Sequence, residues 1–311
     1  MGRYLVTGGA GFIGSNIVST LVHKGQYVRV LDNFYSGKIE NLKGFEKKID
    51  LIRGDICSKA TCRKAVKGID FVFHEAALRS VPKSMLEPHA YNRVNIDGTL
   101  NMLEACAQNK VKRFVLASSS SVYGDIDNFP EKETFLPEPI SPYALSKLTC
   151  EHYCKIFSRY FGLPCVALRY FNVFGPRQAL DDEYAVVIPK FINSIMRDQS
   201  PPIFGNGRQS RDFTFVQNVV QANLLAASAK VKYGVFNVAA GKDTSVLELV
   251  RILNRILGKK VQPKFLPVRA GDVFKTLADI SQGAKLLKFK PEVDFIDGLK
   301  ITVDYWKEKN A

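Results

Sequence analysis

Thr7-Gly8-Gly9-Ala10-Gly11-Phe12-Ile13-Gly14 follows the apolar run Tyr4-Leu5-Val6 and opens an amphipathic stretch expected to be helical over 11–24. A strand, three glycines at three-residue spacing and a helix start together describe the phosphate-binding turn of a dinucleotide fold. Gly8 permits the tight turn, Gly11 lets the backbone approach a pyrophosphate, and Gly14 lets the helix pack on the strand. The N–H groups of the first helical turn then face the phosphates.

Similar apolar runs recur at Tyr27-Val28-Arg29-Val30-Leu31, Ile49-Asp50-Leu51-Ile52, Phe71-Val72-Phe73, Arg113-Phe114-Val115-Leu116-Ala117 and Pro164-Cys165-Val166-Ala167-Leu168. Helices are expected between them at 59–67, 91–109 and 141–161. This alternation predicts an α/β fold, a doubly wound parallel sheet (Rossmann) with helices on both faces. Asp125 to Pro142 holds four prolines (Pro130, Pro137, Pro139, Pro142) and reads as a surface loop leading into the 141–161 helix. After Asn172 the alternation breaks into loops such as Phe174-Gly175-Pro176-Arg177 and Gly205-Asn206-Gly207-Arg208, between expected helices at 186–198, 216–229 and 245–257. Residues 1–171 are therefore assigned to a nucleotide-binding Rossmann domain, with a return near 212–240 through Val235-Phe236-Asn237-Val238. Residues 172–211 and 241–311 are assigned to a smaller, interleaved α/β substrate domain.

With 311 residues, 46% of them apolar, the chain can bury a sizeable core. No apolar run approaches the roughly 18 residues of a membrane span, and Met1 to Val6 pass directly into the first strand. No membrane partner is expected, and the cytoplasm is the expected compartment. Cys57, Cys62, Cys106, Cys150, Cys154 and Cys165 form no disulfide or zinc pattern and read as reduced thiols, with Cys150 and Cys154 on the core face of their helix. No metal is expected. The formal charge of +14 raises nucleic acid as a partner. Because the basic residues are scattered among acids, no nucleic-acid site is expected, and the excess instead favours an anionic nucleotide.

Asp32 ends the second run, 18 residues past Gly14, where a carboxylate accepts hydrogen bonds from the adenosine ribose and repels a 2′-phosphate. NAD is therefore the expected cofactor, although Lys38 stands nearby. Gly54-Asp55-Ile56, after the third run, is placed to meet adenine. Ser118-Ser119-Ser120-Ser121-Val122-Tyr123-Gly124 lies at the carboxyl end of the fifth run, where open parallel sheets bind ligands. Tyr143 and Lys147 begin the next helix on one face. An ammonium beside a phenol favours the phenolate, which suits Tyr143 to general-base work.

These residues form a pattern. The chain resembles the extended short-chain dehydrogenase/reductase superfamily, in its NAD-dependent epimerase/dehydratase branch, nearly end to end. The resemblance is carried by Thr7 to Gly14 with Gly-x-x-Gly-x-x-Gly spacing, Asp32-Asn33-Phe34-Tyr35-Ser36-Gly37, His74-Glu75-Ala76-Ala77, Ser118 to Gly124, Tyr143-x-x-x-Lys147, Arg169-Tyr170-Phe171-Asn172-Val173-Phe174-Gly175-Pro176 and Arg269-Ala270-Gly271-Asp272-Val273. It implies that Tyr143 is the base, that Ser119 relays or hydrogen-bonds at the reacting hydroxyl with Ser120 as the competing choice, and that Lys147 holds the nicotinamide ribose. Phe12, Ile13, Asn33, Ser36, Gly37, Ala76, Ala77, Asn95, Ser118 and Tyr170 complete the implied cofactor site. On the substrate side it implies Asn172, with Val187, Ile188 and Pro189 packing on the base, Arg211 and Arg269 clamping the diphosphate, and Val81, Asp272 and Thr276 nearby. A planar guanidinium fork suits phosphate oxygens independently of any family.

Dehydratases and decarboxylases of this branch carry acids beside the catalytic hydroxyl, whereas the corresponding positions here are serines. This favours an epimerase of a UDP-sugar, working through a transient 4-keto sugar with NAD retained. Leu78-Arg79-Ser80-Val81-Pro82-Lys83-Ser84 resembles the epimerases of UDP-N-acetylglucosamine and UDP-glucose, and Thr276 is small enough to admit an N-acetyl group. A UDP-glucuronate 4-epimerase, and a sugar-nucleotide reductase or dehydratase of the same fold, remain the alternatives. By the same resemblance the 91–109 and 141–161 helices pair across a two-fold axis, implying a homodimer.

Overall fold

The computed structural model describes residues 2–179, 187–268 and 273–310. Seven strands, β1 (Arg3–Thr7), β2 (Tyr27–Asp32), β3 (Ile49–Arg53), β4 (Phe71–His74), β5 (Arg113–Ser119), β6 (Cys165–Tyr170) and β7 (Tyr233–Val238), form one sheet in the order β7-β6-β5-β4-β1-β2-β3. Every neighbouring pair is parallel. The order reverses between β1 and β4, which opens a crevice at the carboxyl ends of those strands. β5 runs two residues beyond the expected Ala117, so Ser118 and Ser119 are its last members rather than part of the following turn.

The described helices that build the layers are α1 (Phe12–His23), α2 (Lys59–Val66), α3 (Gly98–Gln108), α4 (Pro142–Tyr160), α5 (Val187–Met196), α6 (Val216–Ser228), α7 (Val246–Leu257) and α8 (Phe295–Asn310). Side chains alternate across a strand, so Val6 faces one side of the sheet and Leu5 the other. Val6, Val30, Val115 and Phe236 pack with Ile17 and Leu21 of α1 and Val219 and Ala226 of α6. Leu5, Leu31, Val72 and Phe114 pack with α2, α3 and α4 through Cys62, Met102, Cys106, Cys150 and Cys154. With both faces covered, the strands read as nearly continuous apolar runs.

A second core gathers Phe174, Ile188, Ile192, Phe215, Leu249, Leu253, Leu299 and Val303 from α5, α7, α8 and the loops between them. Leu287 and Phe289 join the first core instead, so the 241–311 segment divides between the two. The sequence reading assigns no element to the stretch that forms α8. Its signal is the stripe Phe295, Leu299, Val303 and Trp306, all packed in or against the second core. The helix expected over 91–109 is broken differently: a short turn Pro88–Tyr91 passes into a π-helical stretch Asn92–Asp97 before α3 begins.

Buried polar side chains stitch the sheet beside the crevice. Thr7 Oγ1 and His74 Nδ1 lie 2.9 Å apart, His74 Nε2 and Thr99 Oγ1 3.0 Å apart, and Ala76 N donates to Thr7 Oγ1. Burial pushes the His74 imidazole down to about 3, so it is a neutral connector at ordinary pH. Gly14 shows why the opening motif needs its glycines: a Cβ there would sit 2.2 Å from the Gly8 carbonyl oxygen. Gly14→Ala is expected to cost about 1–3 kcal/mol through forced backbone displacement. Denaturant unfolding measures this, and an unchanged midpoint would show that the turn yields without cost.

Candidate active site

A cavity of about 560 Å³ occupies the crevice, within the size range of cofactor sites. Its walls include the three motif glycines with Phe12 and Ile13, the β2 end with Asp32, Asn33, Ser36 and Gly37, Asp55 and Ile56 after β3, and Ala76 and Ala77 after β4. Gly8 adopts φ +66°, and a Cβ on it would lie 2.8 Å from Ala76 N. Gly11 supplies no side-chain cap to α1, so the first-turn N–H groups face the crevice without one. Asp32 is buried and accepts from Ala10 N at 2.9 Å and Phe34 N at 2.8 Å. Burial pushes its carboxyl up, while these two donors pull it back down. A Cβ on Gly37 would come within 2.9 Å of both Asp32 oxygens, so only glycine leaves them approachable. A glycine cradle, an open helix start and a carboxylate at the β2 end fit an adenine dinucleotide.

The residues expected to react stand at the end of β5 and in the first turns of α4. Ser141 caps α4 by accepting from Ala144 N at 3.1 Å, and Pro142 occupies its first position, which sets Tyr143 in the first turn. One turn on, Lys147 is 5% exposed and donates to the Ala117 carbonyl of β5 at 2.8 Å. Its ammonium lies 6.0 Å from the Tyr143 ring centroid, and Tyr91 meets that ring edge-on at 6.4 Å.

The serines divide by direction. Ser118 donates inward to Glu151 Oε1 at 2.5 Å, and Glu151 is also gripped by Arg169 through two bonds of 2.9 and 2.7 Å. Arg169 in turn lies 4.6 Å from the Tyr123 ring centroid, and Tyr123 donates to Asn237. The Ser118 side chain is therefore an anchor of the strand end. Ser119 Oγ accepts from both the backbone N–H and the hydroxyl of Ser121, which leaves its own proton to donate. This favours Ser119 over Ser120 as the relay.

Asn95, expected at the cofactor, has its side chain held by protein partners. Its amide bonds both the N–H and the carbonyl of Leu78 and donates to Ser146 Oγ, while the Asn95 carbonyl accepts the Cys150 thiol. The π-helical register thus ties the segment after β4 to α4 beside Lys147.

Across the crevice, Asn172 and Thr276 meet directly, Nδ2 donating to Oγ1 at 2.8 Å, and Asp212 N donates to the same hydroxyl. The wholly buried Asp212 accepts from Ala240, Gly241 and Ala278 N–H groups, fixing the segment that carries Thr276. Arg211 donates to the Ser210 and Phe274 carbonyls. Ile188 and Pro189 are buried, Ile188 in the second core, which leaves Val187 as the half-buried member of that trio; Val81 is exposed at the start of a short helix, Val81–Leu86. Arg269 and Asp272 lie outside the described residues.

The sequence model of the NAD dependent epimerase/dehydratase family matches residues 4–239. The chain belongs to that family. Among solved structures it is 44% identical to a UDP-N-acetylglucosamine 4-epimerase from Methanobrevibacter ruminantium M1, with a TM-score of 0.95 and 99% of each chain covered. It is 38% identical to the UDP-glucose 4-epimerase of Thermotoga maritima bound to UDP-glucose, TM-score 0.95, covering 99% of this chain and 100% of that one. A UDP-glucuronic acid 4-epimerase from Bacillus cereus, in complex with UDP-glucuronic acid and NAD, is 34% identical with a TM-score of 0.91 and 99% of each chain covered. NAD is accordingly the cofactor of this epimerase/dehydratase, and the crevice fits it.

Part of the cofactor wall escaped the sequence reading. Arg177, Gln178, Tyr305, Trp306 and Lys309 also line the cavity, Arg177 donating to the Ser15 carbonyl in α1 at 2.8 Å. Only the apolar stripe of α8 pointed that way. Trp306 is the sole tryptophan of the chain and is half-buried on this wall. Reduced cofactor bound here is expected to quench its emission and gain sensitised fluorescence, with Trp306→Phe abolishing the transfer. Emission indifferent to cofactor would place the dinucleotide elsewhere.

Proposed function

We propose that the protein inverts C4 of a UDP-hexose, interconverting UDP-N-acetylglucosamine with UDP-N-acetylgalactosamine and UDP-glucose with UDP-galactose. The observation that carries this reading is the composition of the catalytic end of β5. Serines occupy it, and Glu151, the carboxylate bonded to them among the described residues, is gripped by Arg169 and Ser118, while Glu75 belongs to the end of β4 and is bonded by Tyr170. Elimination needs a free acid at that place, whereas epimerisation needs one group that takes a proton and gives it back.

Tyr143 is placed to accept the proton of the C4 hydroxyl, with Ser119 donating to the same oxygen. Lys147, fixed by the Ala117 carbonyl one helical turn from Tyr143, is the group that holds a ribose. Bound NAD supplies hydride acceptance and return at C4. The 4-keto sugar then turns in the site, and Tyr143 returns its proton to the opposite face product. Sugar choice rests on Thr276, whose small side chain leaves room beside Asn172. The similarity to epimerases of N-acetylated, neutral and uronate sugars supports the C4 chemistry more than any one sugar.

Incubation with a panel of UDP-sugars, followed by resolution of the C4 epimers, tests the substrate. No turnover of either N-acetylated sugar would sink the leading version, and turnover confined to UDP-glucuronate would replace it. Tyr143→Phe is expected to lower kcat by at least about a hundredfold with an unchanged melting temperature, as befits loss of a general base. Thr276→Tyr is expected to lower kcat/KM for the N-acetylated sugar by about tenfold or more relative to the non-acetylated one. An unchanged ratio removes Thr276 from sugar selection.

A further inference from the structure

We propose that Glu75 supplies the negative charge at the reacting end of the cofactor crevice and thereby sets how strongly the site favours oxidised over reduced nicotinamide. Glu75 follows β4 directly. It lines the cavity alongside Ala76 and Ala77. On its other side its Oε1 accepts from the Tyr170 hydroxyl at 2.9 Å, and that hydroxyl accepts from Asn223 Nδ2 at 2.8 Å. Tyr170 ends β6 opposite Ser119, the end of β5. A dinucleotide laid from Asp32 across the start of α1 therefore brings its reacting end to Glu75.

The groups that face Glu75 leave its charge free to act on the cofactor. Tyr170 and Asn223 contribute neutral hydrogen bonds, and the adjacent His74 is neutral because burial holds it at about 3. Lys147, from α4, is the cation that stabilises the carboxylate from a distance. Among the described residues no hydrogen bond is recorded to Glu75 Oε2. Glu151, the other carboxylate at this end, is neutralised by Arg169. Burial is the largest influence on Glu75 and pushes it up to about 7, against the pull of Tyr170 and Lys147. The carboxylate is thus present above neutral pH and lost below it.

An oxidised nicotinamide ring is cationic and a reduced one neutral, so a carboxylate beside it favours the oxidised form. Glu75 is half-buried on the cavity wall, so this attraction is screened less than one between fully exposed charges. For a reaction in which the hydride must return to the sugar, that bias favours return over loss of the keto sugar from a reduced site. The proposal rests on the NAD site and the placement of Tyr143 and Lys147, and not on the identity of the sugar.

Potentiometric titration of the holoenzyme, following nicotinamide absorbance without sugar, tests it. Glu75→Gln keeps an acceptor for Tyr170 and removes the charge. On the alkaline side of about 7, its midpoint is expected to lie above that of the unaltered protein by an amount corresponding to roughly a tenfold change in preference, about 30 mV for a two-electron couple. Further to the acid side, where Glu75 is neutral beside the cationic ring as well, the difference should largely vanish. Coincident midpoints on the alkaline side overturn the proposal, and so does an equal difference on both sides, which would mark a purely structural role. If the variant does not retain cofactor, the unaltered protein decides alone: its midpoint should fall with pH more steeply around neutrality than the slope of one proton per two electrons, and a constant slope overturns the idea. Because no sugar is present, failure here leaves the epimerase reading standing, and an inactive sugar panel leaves this one standing.

Discussion

At the carboxyl end of the sheet, polar side chains are buried where water cannot serve them, and each must find its partner inside the protein. That constraint organises the molecule. Thr7 reaches His74 and through it Thr99, Asp32 reaches two backbone N–H groups, Ser118 reaches Glu151 and through it Arg169, and Tyr170 reaches Glu75 and Asn223. The amino ends of the strands are tied by a separate set, Tyr27 and Arg29 to Asp50, Lys112 to Asp70 and Arg113 to the Val231 carbonyl. The pairing at the carboxyl end locks neighbouring strands in register where ligands bind, and leaves the apolar faces to supply most of the stability.

The same constraint preorganises the chemistry. A buried ammonium is tolerated only with good hydrogen bonding, and the Ala117 carbonyl both satisfies Lys147 and fixes α4 against β5. The Ser141 cap and Asn95, bridging Leu78 to Ser146, fix the same helix from its start and its flank. Tyr143 and Ser119 thus hang from rigid elements, and little reorganisation is left for the moment of reaction. The buried Arg169–Glu151 pair belongs to this scaffold: it is costly to bury, and its value lies in holding Ser118 and so the strand end that presents Ser119.

What the sequence disclosed was what local spacing encodes. The glycine turn, Asp32 at the end of β2, and Tyr143 one turn before Lys147 are each defined within a few residues, and all were legible. The pairings that complete the site join positions far apart in the chain. Thr7 and His74 are 67 residues apart and Tyr170 and Glu75 are 95 apart, so no periodicity announces either contact. Direction was equally hidden: Ser118 and Asn95 lie in motifs that suggest a ligand, yet their side chains are held by protein partners. The π-helical stretch at Asn92–Asp97 has no local signature, and α8 was overlooked although its apolar stripe was present.

These features bear on why such a site suits a reaction with no net oxidation. A dehydrogenase gains by releasing its cofactor after each turnover, whereas an epimerase needs the same cofactor in place for both hydride transfers. Arg177 and the α8 residues Tyr305, Trp306 and Lys309, from segments of the second core or the loop before it, line the crevice opposite the glycine turn. On the proposed reading, a carboxylate at Glu75 favours the oxidised ring and so biases the resting state toward the form that begins the cycle, which is the bias a returning hydride needs.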